Sequence, residues 1–347
     1  MRSKAQGSAA TAREPERRKE GFKGAQHAIK IEWSGFKPMY DYWGNEIRRY
    51  YQLETLASAT EHLIRTKDYF IQSSLREVLG PGPITSMRFT LFQEGRFQLI
   101  FQLRAANARK KTATFAFVVA KNSEECSKVA YEEHQHLKTI HPRNPKEIVE
   151  PYRGGNIFLP DRHKRIAHGR EVYAYLTSWL NGFDELGVDK NLQFIINIEK
   201  YHTFTLAQTE TIKQQIIMCM LRTYDPVQRS CMAIPEIASG DFVVQLHRTG
   251  RTQVRLIACR KMMTKVTLSA ILRRIITAQW DWGKEVFFLR PEAPETLAEA
   301  LIETLGQEDV AMALPHIFGH VKRREVDQVA WDYVQALREI VSPRETA

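Results

Sequence analysis

The sequence predicts an α+β protein of two lobes, a small antiparallel β-rich lobe followed by a mainly helical one. A chain of 347 residues is longer than one hydrophobic core usually serves. Apolar residues alternate along much of the stretch 84–178, whereas helical spacing dominates from 179 onward. The 17 Phe, 12 Tyr and 6 Trp supply the large side chains that such a core needs.

The composition divides the chain into four parts. Residues 1–27 are basic and poor in apolar side chains, so we predict a disordered tail. Residues 28–83 form an N-terminal extension that we expect to be mainly helical. The β-rich lobe then spans 84–178 and the helical lobe 179–347.

The extension has two sections. Residues 28–48 are rich in aromatic side chains and have no clear period, so we expect them to lie over the body of the protein. From Arg48 to Leu79 the apolar residues follow helical spacing. Pro81-Gly82-Pro83 ends that helical run.

A β-hairpin and a third strand open the β-rich lobe. Residues 87–92 and 97–103 alternate, and Glu94-Gly95 lies at the turn between them. Residues 114–120 form a more apolar strand, which ends at Lys121. We therefore predict three strands in succession.

A helix and two more strands complete this lobe. Ser123 is a suitable N-cap, and the helix is predicted to run to about Ile140. Strands follow near 155–159 and 171–179. Beyond Asn181-Gly182 the pattern is mainly helical, interrupted by one strand pair near 241–244 and 254–257.

Glu133 falls within the apolar stripe of the predicted helix. A carboxylate on an apolar face is costly unless a cation or hydrogen bonds compensate it. Lys121, at the end of the preceding strand, is a nearby candidate cation, with Glu132 as its alternative partner. If helix boundaries are shifted, Glu133 lies instead at the edge of the stripe and reaches water, and Lys121 simply ends a strand.

The chain resembles the protein-kinase-like superfamily, especially its aminoglycoside phosphotransferase and choline kinase branch. The similar segments are FQEGRFQLIF, FVVAK, YEEHQHL and YAYLTSWLNGF, in that order, within about residues 84–290. Element order and spacing carry this resemblance, since no single motif is diagnostic. It implies a two-lobed kinase-like fold and ATP as a ligand, with or without Mg²⁺.

The resemblance also implies roles for individual residues. The hairpin turn would cover the phosphates through Gly95, and Lys121 with Glu133 would hold them. The hinge between the lobes would hold the adenine through backbone groups of Thr177, Ser178, Trp179 and Leu180.

The second lobe departs from the family pattern. Asp241 fits the catalytic position, but Ser239 replaces the usual His and Leu246 occupies the position of an Asn. The stretch 256–260, where the resemblance implies a metal-binding Asp, contains no carboxylate. Magnesium is normally held by carboxylates, and it supplies much of the catalysis in phosphoryl transfer. We therefore name no metal ligand and expect a pseudokinase that binds a nucleotide, another anionic ligand or a protein partner between the lobes.

Two alternatives remain open. The first is an active small-molecule phosphotransferase, in which another carboxylate such as Asp225, Glu236 or Asp281 joins Asp241 at the metal. The second is a basic scaffold, in which the tail and the cluster at 162–170 bind nucleic acid or an acidic partner. The net charge of +10 is compatible with the second alternative.

Further sequence features favour a cytoplasmic protein. No apolar run reaches the roughly 18 residues of a membrane-spanning helix, and no secretory signal is recognisable. The four cysteines form no CxxC pair, so we expect buried free thiols rather than a zinc site. His134 and His136 point in divergent directions on a helix, so we predict ordinary surface histidines.

Overall fold

The computed structural model describes residues 29–35, 53–66, 69–160, 169–189, 193–196, 202–234, 237–276, 290–318, 326 and 328–342. Within these residues the protein is α+β, and its sheets are antiparallel except for one strand pair. The α+β class predicted from the sequence is confirmed. The tail at 1–27 and most of the basic cluster at 162–170 lie outside the described residues.

Strands and helices occur in short runs along the described parts of the chain. The strands are β1 (Lys30–Ser34), β2 (Ile84–Glu94), β3 (Gln98–Asn107), β4 (Thr112–Ala120), β5 (Pro151–Pro160), β6 (Gly169–Ser178), β7 (Asp184–Val188), β8 (Phe194–Ile196), β9 (His202–Thr203), β10 (Cys231–Met232), β11 (Phe242–Leu246), β12 (Thr252–Leu256) and β13 (Met262–Met263). The helices are α1 (Leu53–Thr66), α2 (Phe70–Leu79), α3 (Glu124–Ile140), α4 (Leu206–Leu221), α5 (Leu268–Ile276), α6 (Pro294–Leu305), α7 (Gln307–Ala313) and α8 (Gln328–Val341).

A six-stranded sheet has the order β1-β2-β3-β4-β6-β5. The predicted hairpin is β2 and β3, and the amide of Gly95 closes its turn by donating to the carbonyl of Gln98 at 2.9 Å. β4 pairs with β3 over its whole length, as the predicted third strand. β5 and β6 correspond to the two strands expected after the helix.

The N-terminal extension contributes both helices and a strand. α1 and α2 confirm the helical part of the prediction, but the sequence did not indicate β1. β1 joins the sheet in parallel with β2, and its Trp33 ring stacks on Phe89 at 4.2 Å. Leu56 and Leu75 from the helices share one hydrophobic core with the sheet, so this core continues across the expected boundary at residue 84.

Helix α3 begins and ends as predicted. The Ser123 side chain accepts a hydrogen bond from the amide of Cys126 at 3.0 Å, which satisfies one free amide of the first turn. The surface position predicted for His134 is wrong, because the side chain is only 2% exposed. Its Nε2 contacts the carbonyl of Tyr152 at 2.7 Å, and its Nδ1 contacts the Tyr173 hydroxyl at 2.8 Å. Burial lowers the pKa of His134, which favours the neutral ring.

The later part of the chain contains a second sheet, so the prediction that it is helical with a single strand pair is wrong. The predicted pair is β11 and β12, but it belongs to a five-stranded sheet of order β12-β11-β7-β8-β9. The three additional strands are short, and segments such as Asp184–Val188 (DELGV) lack apolar alternation, so they gave no periodic signal. Helix α4 packs on β12, α6 packs on α4 and α8 packs on α6, around a second hydrophobic core.

The cysteines agree with the sequence expectation in part. Cys219, Cys231 and Cys259 are buried and free, whereas Cys126 is half-buried. None of the helices in the described residues is long and apolar enough to span a bilayer.

Candidate functional site

A cavity of about 190 Å³ lies between the six-stranded sheet and the segments around β7, β11 and β12. The hairpin β2–β3, strand β4 and strand β6 form one side, and the segment after β6 closes the end. Much of its wall is apolar and comes from Phe97, Ile100, Ala116, Val118, Val149, Leu180, Phe183, Val243 and Ile257. Polar side chains lie together at its inner end, and they belong to Gln93, Gln98, Glu133, Tyr175, Glu185 and Arg260.

Most of the residues implied by the resemblance line this cavity. They are Gly95, Glu133, Thr177, Ser178, Trp179 and Leu180. Lys121 and Asp241 do not line it, although both are described and buried. The structure therefore brings together the hairpin turn, the α3 carboxylate and the linker, defined as residues 177–180. The expected lysine and aspartate, Lys121 and Asp241, lie farther from the cavity.

The linker after β6 forms the outer part of the wall. The amide of Ser178 donates to the carbonyl of Glu150 at 2.9 Å, and that of Trp179 donates to Thr114 at 3.3 Å. These two amides are therefore already bonded within the protein. The Trp179 ring meets Phe92 edge-to-face at 5.0 Å, so two aromatic rings stand together at the cavity.

The structure corrects the predicted partner of Lys121. Its Nζ lies 2.9 Å from Oε1 of Glu94, and the two side chains are 8% and 2% exposed. Glu94 ends β2 and Lys121 follows β4, so the two residues flank β3 at the same end of the sheet. The alternative partner Glu132 is also not engaged, because it lies on the exposed side of α3 and pairs with Lys128 at 3.9 Å.

Glu133 is buried as predicted, with 3% of the residue exposed, but hydrogen bonds rather than Lys121 compensate it. The Tyr175 hydroxyl and Nε2 of Gln98, the latter at 3.2 Å, both donate to its Oε1. Burial raises the pKa of Glu133 and the nearby Asp241 charge raises it further, while these hydrogen bonds and Arg260 lower it.

Asp241 lies behind the inner end of the cavity and is 1% exposed. Its Oδ1 lies 2.7 Å from Nη2 of Arg260, and its Oδ2 accepts a hydrogen bond from the amide of Ala238 at 2.8 Å. Burial raises the pKa of Asp241 from 3.8 to about 6, although Arg260 and the Ala238 amide act in the opposite direction. The carboxylate to which the resemblance assigns the catalytic role is thus held in a close ion pair with a cation.

Glu185 is a site residue that sequence reasoning missed. Its Oε2 accepts a hydrogen bond from Nε2 of Gln93 at 2.5 Å, and burial is the main reason that its pKa is raised. The charges of Asp241 and Arg260 also act on Glu185 in opposite directions, which places the three groups together. The only sequence signal was its position shortly after the linker, in a segment without helical or strand period.

No group of three His, Cys, Asp or Glu side chains in the described ranges is arranged to hold a metal ion. Of the carboxylates considered as extra metal ligands, Asp225 pairs with Arg143 at 2.6 Å and accepts from the amides of Val227 and Gln228. It does not line the cavity. Glu236 and Asp281 lie outside the described residues.

Comparison with known proteins does not assign a family. No protein-family model matches this sequence, and no curated protein matches it significantly.

Proposed function

We propose that this chain is a two-lobed protein of kinase-like architecture that binds a small ligand between its lobes and does not transfer phosphate. The proposal extends the resemblance to aminoglycoside phosphotransferases and choline kinases, and it includes the cytoplasmic location expected from the sequence. A nucleotide such as ATP, with or without Mg²⁺, is the ligand that the resemblance implies. A protein partner at the same cleft is the other outcome that we keep.

One observation carries the non-catalytic part of the proposal. Arg260 stands in the stretch where the resemblance implies a metal-binding carboxylate, and its guanidinium pairs with Asp241 at 2.7 Å. A phosphotransferase needs Asp241 free to accept a proton and needs Mg²⁺ beside the phosphates. An arginine bound to Asp241 opposes both requirements, because a cation cannot coordinate a cation.

The binding part of the proposal is supported by the cavity. It is mostly apolar with polar groups at one end, which is the usual composition of a small-molecule site. Six residues that the resemblance associates with nucleotide binding line it. Lys121 is unsuited to hold phosphates from its buried pair with Glu94.

An active phosphotransferase is the second candidate, and one observation favours it. Glu133 and Glu185 are close enough to Asp241 for its charge to raise the pKa of each. These carboxylates, rather than the three considered from the sequence, would be the additional metal ligands. The pairing of Arg260 with Asp241 favours the non-catalytic function. The basic-scaffold alternative depends on segments outside the described residues and stays a prediction.

The test combines ligand binding with a transfer assay. We expect the melting temperature to rise with the concentration of a cavity ligand, without a requirement for Mg²⁺, because binding to the folded state alone stabilises it. Ala116→Leu fills the apolar wall and removes the shift, whereas Ala108→Leu, at an exposed turn, preserves it. Release or transfer of the terminal phosphate of ATP at a rate abolished by Asp241→Asn would contradict the proposal.

A further inference from the structure

Glu133 has one carboxylate oxygen engaged and one unengaged. Both hydrogen bonds from Tyr175 and Gln98 reach Oε1, and no donor in the described part of the chain reaches Oε2. The side chain lines the cavity although the residue is only 3% exposed. The oxygen that accepts no hydrogen bond belongs to a cavity-lining side chain, so a ligand in the cavity can donate to it.

Glu185, on β7, repeats this arrangement. Its Oε2 accepts from Gln93, whereas Oε1 receives no hydrogen bond from the described residues. Oε1 lies where a side chain at position 240 would stand, so Gly240 leaves the space that this oxygen occupies. Glu133 and Glu185 are both cavity-lining residues, and each therefore presents one spare acceptor.

The charge at this end is unsuited to a chain of phosphates. Glu133, Glu185 and Asp241 are three carboxylates, and Arg260 is the cation that influences all of them. Arg260 is already paired with Asp241. Phosphate oxygens accept hydrogen bonds and carry negative charge, so they repel carboxylates and offer no donor to them. Arg96 also lines the cavity, but it is exposed at the hairpin turn.

The rest of the cavity suits a flat ring. Ile100, Ala116 and Val243 provide aliphatic wall, and the paired rings of Phe92 and Trp179 offer aromatic surface. The volume of about 190 Å³ is below the roughly 300–1,000 Å³ of most drug-sized sites, which favours a compact ligand.

We propose that the cavity binds a compact heteroaromatic ligand that carries hydroxyl or amino hydrogen-bond donors and no phosphate, that is, a ligand of the nucleoside class. The ring lies in the apolar part, and the donors reach Oε2 of Glu133 and Oε1 of Glu185. This inference rests on the proposed function, since it names the ligand class of the same cavity.

The test is calorimetric titration of the full-length protein with adenosine, AMP and ATP, each with and without Mg²⁺. We expect adenosine to bind most tightly, with a loss of about tenfold or more on adding phosphate, because like charges then meet in a partly buried site. Glu133→Gln and Glu185→Gln each weaken adenosine by about tenfold, since a hydrogen bond to a charged acceptor becomes a neutral one. In the same variants, the difference between the affinity for adenosine and the affinity for ATP becomes smaller.

Controls separate charge from folding. Glu132→Gln removes the neighbouring exposed carboxylate of α3 and leaves all three affinities unchanged. Unchanged circular dichroism and cooperative melting of each variant establish that it is folded. The inference is overturned if folded Glu133→Gln and Glu185→Gln proteins keep the wild-type ratio of adenosine affinity to ATP affinity. A purely structural role of the two carboxylates would leave that ratio unchanged.

The remaining outcomes distinguish the two proposals. Tighter binding of ATP than of adenosine, without phosphate transfer, overturns the ligand class but leaves the proposed function in place. Binding of indole that Ala116→Leu abolishes, with no binding of adenosine, has the same meaning. Transfer of phosphate overturns the proposed function itself.

Discussion

The two faces of the six-stranded sheet are built from the same strands but differ in what covers them. On β3 and β4, Phe101, Phe115 and Phe117 point to one face and enter a closed hydrophobic core. Their neighbours Ala116 and Val118 point to the other face and line the cavity. Alternation along a strand thus gives each short segment two roles.

The closed face is filled with large apolar side chains, whereas the open face keeps smaller ones and brings polar groups to its inner end. Phe101 and Phe117 are 0% exposed in the core. Beside the open face, by contrast, Glu133 on α3 and Asp241 behind the cavity are almost as inaccessible and have raised pKa values. The comparison indicates that stability resides in the closed face, while the open face keeps buried charge that a ligand can use.

The largest expected effect is on the closed face. Phe117→Ala should lower the free energy of unfolding by about 3–5 kcal/mol, because it removes a buried ring and leaves a cavity. Val118→Ala, on the next residue, should cost only about 1–2 kcal/mol, since its side chain already borders empty space. Urea denaturation of both variants measures the two losses of unfolding free energy. Equal losses would contradict the distinction between the closed and the open face.

The second effect is a pH dependence from Asp241. Its pKa in the folded protein is raised from 3.8 to about 6, so the folded state holds the proton more tightly than the unfolded state. The resulting stability is present in full below pH 3.8 and is lost as the pH rises to about 6. The loss amounts to about 3 kcal/mol.

Asp241→Asn isolates this contribution. Denaturation of the wild type and the variant between pH 4 and pH 7.5, the range about the folded pKa, should show the wild type losing stability relative to the variant. Parallel pH profiles would show that Asp241 does not titrate in this range.

The third effect concerns the ion pair. Arg260→Met leaves Asp241 buried without its cation, so we expect a loss of about 1–2 kcal/mol at pH 8. The value is moderated because the Arg260 side chain is 36% exposed. In Arg260→Met/Asp241→Asn the loss should largely disappear, and a double-mutant cycle from chemical denaturation gives the coupling. Additive losses would show that the pair is not an energetic unit.

The smallest effect has the opposite sign. Glu133→Gln should raise the free energy of unfolding by up to about 1 kcal/mol at pH 8, because the free protein no longer buries a charge there. The gain should vanish in acid, where Glu133 is protonated. Glu132→Gln is the matched exposed control, and melting curves at the two pH values make the comparison. A loss of stability at pH 8 would contradict the view that the open face retains charge for a ligand.

The sequence predicted those features that depend on local pattern. The hairpin, the Ser123 cap and the burial of Glu133 all follow from residues close together in the chain, whereas the position of residues 177–180 beside the cavity was implied by the family resemblance. These signals are periodicity, capping and turn residues, which do not need knowledge of distant segments.

The features that the sequence did not predict are decided by long-range contacts. Lys121 pairs with Glu94 because β2 and β4, which lie on either side of β3, bring the two residues to the same end of the sheet. Arg260 and Glu185 reach the cavity from separate later segments, and neither lies in a recognisable motif. β1 and the strands β7–β9 have two to five residues each, which is too short for a period to emerge.

The most direct test of the central claim is a crystal structure of the protein soaked with adenosine, and separately with ATP and Mg²⁺. The account predicts a ring in the apolar part of the cavity, hydroxyls facing Glu133 and Glu185, and an intact Arg260–Asp241 pair. A phosphate chain at the inner end, with Mg²⁺ bound between Asp241 and Glu185 and Arg260 displaced, would contradict it.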